Sequence, residues 1–168
     1  MKLMKQWELD KRWSDKFLPE IKQLLGLHLI GEPPQEEDAE RNTDLIVLKM
    51  EPLRIACRIR RNSYYQNLNY RNEITIREGR PSGVKTELAK IIEGWGDYFF
   101  YGFSCPLEKN LVLWRLCDLK IFRLWFMQQL AKNKTIPGMS RQNKDGSSSL
   151  RVFNVETIPG FVFARLYP

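Results

Sequence analysis

Histidine is almost missing from this chain: His28 is the only one in 168 residues. Chemistry that needs two imidazoles, such as an HExxH zinc site, is excluded, and a Ser-His-Asp triad would rest on His28 alone with no GxSxG elbow to present the serine. Cysteine is scarce as well. Cys57, Cys105 and Cys117 are odd in number and widely spaced, with no CxxC pair, which argues against a structural zinc site or a disulfide scaffold. No apolar run approaches the length of a membrane span, and the opening MKLMKQWELDKRW is too charged for a secretory leader. These absences predict a cytoplasmic protein with reduced thiols and no membrane partner.

Basic charge and aromatic residues are plentiful. Lys+Arg number 27 against 20 Asp+Glu, a formal charge of +7, while 43% of residues are apolar and 12% aromatic. That composition supports a packed core under a basic surface, and the length suits a single domain, 1–168.

Trp13, Phe17, Ile21 and Leu24 fall on one stripe at the 3.6-residue period, predicting a first helix with Ser14 or Asp15 at its start and Gly26 at its stop. Residues 31–43 are rich in acids and proline and read as a loop, as does the polar stretch 132–148. Between them, DLIVLKM (44–50), LRIACRIRR (53–61) and EITIR (73–77) have the alternation or apolar run of strands, and the short turns between them predict an antiparallel meander. KTELAKIIEGWG predicts a short helix, DYFFYGF (97–103) and LVLWRL (111–116) strands, Asp118 the N-cap of a longer helix, and SLRVFNV and FVFARL two closing strands. The expected fold class is α/β (α+β), a mixed central sheet with an antiparallel meander flanked by helices.

The second strand carries the most informative cluster. Alternation puts Arg54, Arg58 and Arg60 on one face, the last two about 6–7 Å apart, with Arg61 at the strand end and Arg77 on the neighbouring strand. Like charges so close need compensation, either from Asp44, Glu73 and Glu87 or from phosphates outside the protein. Arginine favours bidentate contact with oxyanions, and nucleic acid is the simplest external partner for such a face. Tyr64, Tyr65 and Tyr70, interleaved with asparagines beside these arginines, could stack bases or pack over a sheet edge. Asp97 reads as a turn residue, Cys57 as core, His28 as a helix-end residue, and the acids at 36–40 as a solvated loop.

A helix bearing Glu20, then TDLIVL with Asp44 opening a strand, then RIACRIRR, a helix and another strand resembles the PD-(D/E)xK restriction-endonuclease-like superfamily over roughly residues 10 to 103. The resemblance implies a Mg²⁺-dependent phosphodiesterase, in which carboxylates hold the metal and the metal acidifies its water. Asp44 matches the motif aspartate. The E-x-K position falls on Ala56-Cys57-Arg58, where alanine cannot ligate, so the resemblance turns to Glu73, Glu87 or Glu20 for the second carboxylate and to Lys90 for the assisting cation. Glu87 and Lys90, at i, i+3, also read as an ordinary helix ion pair. Three readings stay open: a metal-dependent nuclease, a non-catalytic module of the same fold binding nucleic acid or protein, and a structural basic domain or homo-oligomer subunit with its arginines paired internally.

Overall fold

The computed structural model describes residues 6–26, 30–31, 46–47, 54–143 and 146–166. The chain divides into two compact units, Met1–Pro52 and Leu53–Pro168. Asp44 and His28 lie outside the described residues, as do the 36–40 acids and most of the predicted 44–50 strand.

In the first unit the apolar stripe belongs to two helices, α1 (Gln6–Asp15) and α2 (Leu18–Gly26), where one was expected. Pro19 explains the break. It has no N–H to donate and its ring would clash with a helical carbonyl four residues back, at Asp15, so the ladder stops there and restarts, with the Ile21 N–H returning to the Phe17 carbonyl at 3.0 Å. Phe17 and Ile21 are buried, and the Trp13 and Phe17 rings meet edge to face at 5.3 Å. Two short strands, β1 (Ile30–Gly31) and β2 (Ile46–Val47), pair antiparallel.

The second unit is a mixed α/β fold. In order it contains β3 (Ile55–Arg60), the short helices α3 (Asn62–Gln66) and α4 (Leu68–Arg71), β4 (Glu73–Gly79), α5 (Glu87–Ile92), β5 (Tyr98–Ser104), β6 (Leu111–Asp118), α6 (Leu119–Asn133), β7 (Met139–Gln142), β8 (Ser149–Asn154), a 3₁₀ turn and β9 (Val162–Leu166). One sheet has the order β3-β5-β6-β9, with β3 parallel to β5 and the other pairs antiparallel; the other has the order β4-β8-β7 and is antiparallel throughout.

The antiparallel meander does not form. β2 pairs with β1, β3 with β5 and β4 with β8, so the three strands expected to be neighbours lie in three different sheets. The connection from β3 to β4 is the reason: residues 62–71 coil into α3 and α4, with the Asn67 side chain accepting from the Asn69 N–H at 3.1 Å, where a hairpin turn would be needed. The 132–148 loop is likewise corrected, because it contains β7.

The core of this unit lies between β4, β5, β6, α5 and α6. Phe122 of α6 stands at its centre, edge-on to Phe153 at 5.0 Å and beside Phe126 and Phe161 at 5.8 and 5.5 Å. The expected α6 cap is present: Asp118 Oδ1 accepts from the N–H groups of Lys120 and Ile121 at 2.7 and 3.1 Å. Asp118→Ala should cost about 1 kcal/mol, read as a lower urea midpoint with an unchanged denaturant slope.

Candidate nucleic-acid interface

β3 and β4 are edge strands of different sheets, and the arginine face of β3 looks across to β4. In the parallel register Arg58 stands beside Tyr101 and Arg60 beside Phe103, placing both arginines on the face of β5 that carries the core aromatics. Arg58 closes the gap. Its Nη1 donates to the Thr75 carbonyl at 2.8 Å and its Nη2 to Glu87 Oε2 at 2.5 Å, with only 19% and 27% of the two side chains exposed. The same Glu87 oxygen accepts the Arg77 backbone N–H at 3.0 Å. A guanidinium and a carboxylate thus make the link that a ladder between β3 and β4 would have made. Thr75, also buried, shares a 3.2 Å hydrogen bond with the Tyr101 hydroxyl.

Beyond Arg58 the two sheets splay to form a cleft of about 490 Å³. Arg60 and Tyr64 line one wall, Glu73, Thr75 and Arg141 another, Tyr70 lies between them, and Gln142 and Asn143 stand at the rim. The Arg60 guanidinium lies 3.8 Å from the Tyr64 ring centroid, Tyr64 and Tyr70 are 6.0 Å apart, and Arg141 lies 5.5 Å from the Tyr70 centroid. The result is a ladder of cation, ring, ring and cation, each cation facing a π surface. Arg141 is also held by Glu73 through two hydrogen bonds of 3.0 and 3.2 Å. Arg60 has no carboxylate partner among the described residues.

Arg141 reaches the cleft because β7 is seated on β8. Gly138 enters β7 at a φ of 84°, where a Cβ would stand 2.7 Å from the Val152 carbonyl oxygen, so only glycine fits. Arg151 ties the approach by donating to the carbonyls of Ile136 and Gly138 at 3.1 and 3.0 Å, and pairs with Glu78. The turn closes with Asn143 Nδ2 donating to Ser148 Oγ at 2.8 Å.

The other candidate residues are dispersed. Arg54 immediately precedes β3, with its backbone N–H donating to Asp97 Oδ2 at 2.7 Å, which gives Asp97 the turn role expected of it. Arg61 pairs with Glu108 at 2.9 Å on the exposed side. Lys90 is exposed, and Glu87 turns to Arg58 in place of the i, i+3 partner. Tyr65 packs toward Phe103 at 6.2 Å and carries Arg71 at 4.2 Å from its ring, so of the three tyrosines it is the structural one. Glu20 is half-buried in the first turn of α2, in the first unit.

Asp44 lies outside the described residues, and Glu73 and Glu87, named with it for the implied metal site, are turned to other partners. Glu73 gives both oxygens to Arg141, and Glu87 gives Oε2 to Arg58 and the Arg77 N–H, so a hard cation would compete with arginine for three of the four oxygens. Among the described residues no three His, Cys, Asp or Glu side chains converge as a ligand group. Comparison of the chain with protein-family models, with curated proteins and with solved structures finds no match. No helix among the described residues is long and apolar enough to cross a membrane.

Arg141, Gln142 and Asn143 were missed from sequence because four residues of strand inside a polar stretch carry too little alternation to stand out. Cys57, expected in the core, is exposed, since β3 is an edge strand. The three thiols differ in chemistry. Backbone N–H groups around Cys105, those of the Asn110 and Lys109 turn foremost, hold its thiol below the usual value; the protein around Cys57, though the residue reaches the surface, shields it from part of its solvent and raises it, and full burial pushes Cys117 up to about 12. Alkylation at mildly alkaline pH, followed by peptide mass spectrometry, should label Cys105 first, Cys57 more slowly and Cys117 only on unfolding.

Proposed function

We propose that the second unit is a nucleic-acid-binding module whose contact site is the cleft between β3, β4 and β7. The observation that carries this reading is the Arg60–Tyr64–Tyr70–Arg141 ladder opening into that cleft. The Arg60 guanidinium offers phosphate a planar, bidentate donor set, and tyrosine rings offer bases a stacking surface that tolerates any sequence. The +7 charge supplies the long-range attraction. The commitment of Glu73 and Glu87 to arginine supports binding over hydrolysis, and the three free thiols accord with a cytoplasmic setting.

The reading predicts binding of labelled oligonucleotides that weakens steeply with salt, by fluorescence anisotropy, and survives Asp44→Ala. Arg60→Ala should lower affinity about tenfold, the cost of one arginine that both stacks and contacts phosphate. Cleavage of the oligonucleotide on adding Mn²⁺, abolished by Asp44→Ala, would replace this reading with the hydrolytic one.

A further inference from the structure

β3 and β4 run past one another as the unpaired edges of two sheets, and the strip between them is not acidic enough to neutralise its arginines. Glu73, Thr75 and Arg77 share one face of β4 at about 6–7 Å intervals, and Arg58 and Arg60 share the facing side of β3 at the same interval. From the cleft the strip passes over Arg58 and reaches Arg77 and then Arg80. Around this far end three guanidinium groups, Arg58, Arg77 and Arg80, gather near one carboxylate, Glu87, which already serves Arg58 and a backbone N–H. Arg77 Nε is buried with no hydrogen-bond partner, and Arg80 is exposed. Burial first, and then Arg58 and Arg80, hold the Arg77 guanidinium below its usual value, with Glu87 opposing them. An anion laid on this end would relieve that crowding.

Resting on the nucleic-acid reading of the cleft, we propose that the ligand is a single strand several nucleotides long, lying along the strip between β3 and β4. Its bases stack at Tyr64 and Tyr70, and its backbone continues over Arg58 to phosphate contacts with Arg77 and Arg80. The ladder requires unpaired bases, because a duplex keeps its base faces stacked on one another. The continuation of basic side chains beyond the ladder, Arg77 and then Arg80, is what a mononucleotide pocket would not need.

The test compares a thymidine dinucleotide, a thymidine decanucleotide and a duplex of the same length as the decanucleotide, binding the full chain by anisotropy across a salt series. The decanucleotide should bind at least about tenfold tighter than the dinucleotide and tighter than the duplex, because more phosphates are engaged. Arg77→Gln combined with Arg80→Ala should remove most of that gain, leave the dinucleotide unchanged and make the salt slope for the decanucleotide shallower by about 1.4, the loss of two phosphate contacts on a single strand. Arg80→Ala alone, at an exposed position that packing does not use, should give about half that change in slope. Equal affinity for the two lengths, equal loss on both in the double variant, or a duplex bound as tightly as the strand overturns the single-strand track while the cleft reading stands. No binding of any of the three overturns both.

Discussion

Glu87→Ala should lower the unfolding free energy by about 2 kcal/mol, less than a fully buried pair would lose because both side chains keep some contact with water. The effect is large because the carboxylate has three roles. It neutralises Arg58, it accepts the Arg77 backbone N–H, and it stands in the first turn of α5. Without it, Arg58 remains wedged between the sheets at 19% exposure with its charge uncompensated. In a domain of this size the melting temperature should fall by about 4–8 °C. Glu93→Ala is the comparison, since its 2.5 Å pair with Lys85 leaves the two side chains 46% and 53% exposed. That variant should lose about 0–1 kcal/mol. Equal losses from the two would show that Arg58 does not join the sheets. A double-mutant cycle of Arg58 and Glu87 would isolate their coupling from the other roles of Glu87.

The second large effect concerns binding. Tyr64→Ala with Tyr70→Ala should weaken single-stranded oligonucleotide binding by about 100-fold, since each stacked base lost costs about 1–3 kcal/mol. Tyr64→Phe with Tyr70→Phe should stay within about threefold, because the ring face rather than the hydroxyl makes the platform. Tyr65→Phe serves as a control, its ring being turned toward Phe103 and Arg71 and away from the ladder. A large loss in the Phe pair would mean that the hydroxyls, as hydrogen-bond groups, carry the contact. Undiminished binding in the Ala pair would remove the ladder from the account.

These two effects trace what the sequence could convey. The alternation in LRIACRIRR placed Arg58 and Arg60 on one face, because a strand's period of two is written directly into its residues, and Asp118 signalled the start of α6 through the chemistry of its own side chain. The partners of that face were not legible. Glu87 lies 29 residues from Arg58, and Glu73 lies 68 from Arg141. Both encounters depend on which strands pair, and pairing depended on ten residues, 62–71, coiling into two short helices where alternation alone suggested a turn. The missed meander and the missed Arg141 therefore share a cause: sheet order is a property of connections, whose geometry apolar periodicity does not encode. The tyrosines show the same limit on a smaller scale. Tyr64 and Tyr65 are adjacent in a helix, so they point about 100° apart, one to the cleft and one to the core.

The account's central claim is that nucleic acid binds at the ladder. The most direct measurement is photo-crosslinking of a 4-thiouridine-substituted single-stranded oligonucleotide to the full chain, with the modified peptide mapped by mass spectrometry. The account predicts a crosslink within residues 62–71, on Tyr64 or Tyr70, that fades with rising salt and is weakened in Arg60→Ala. A salt-resistant crosslink, or one confined to residues 1–52, would contradict it.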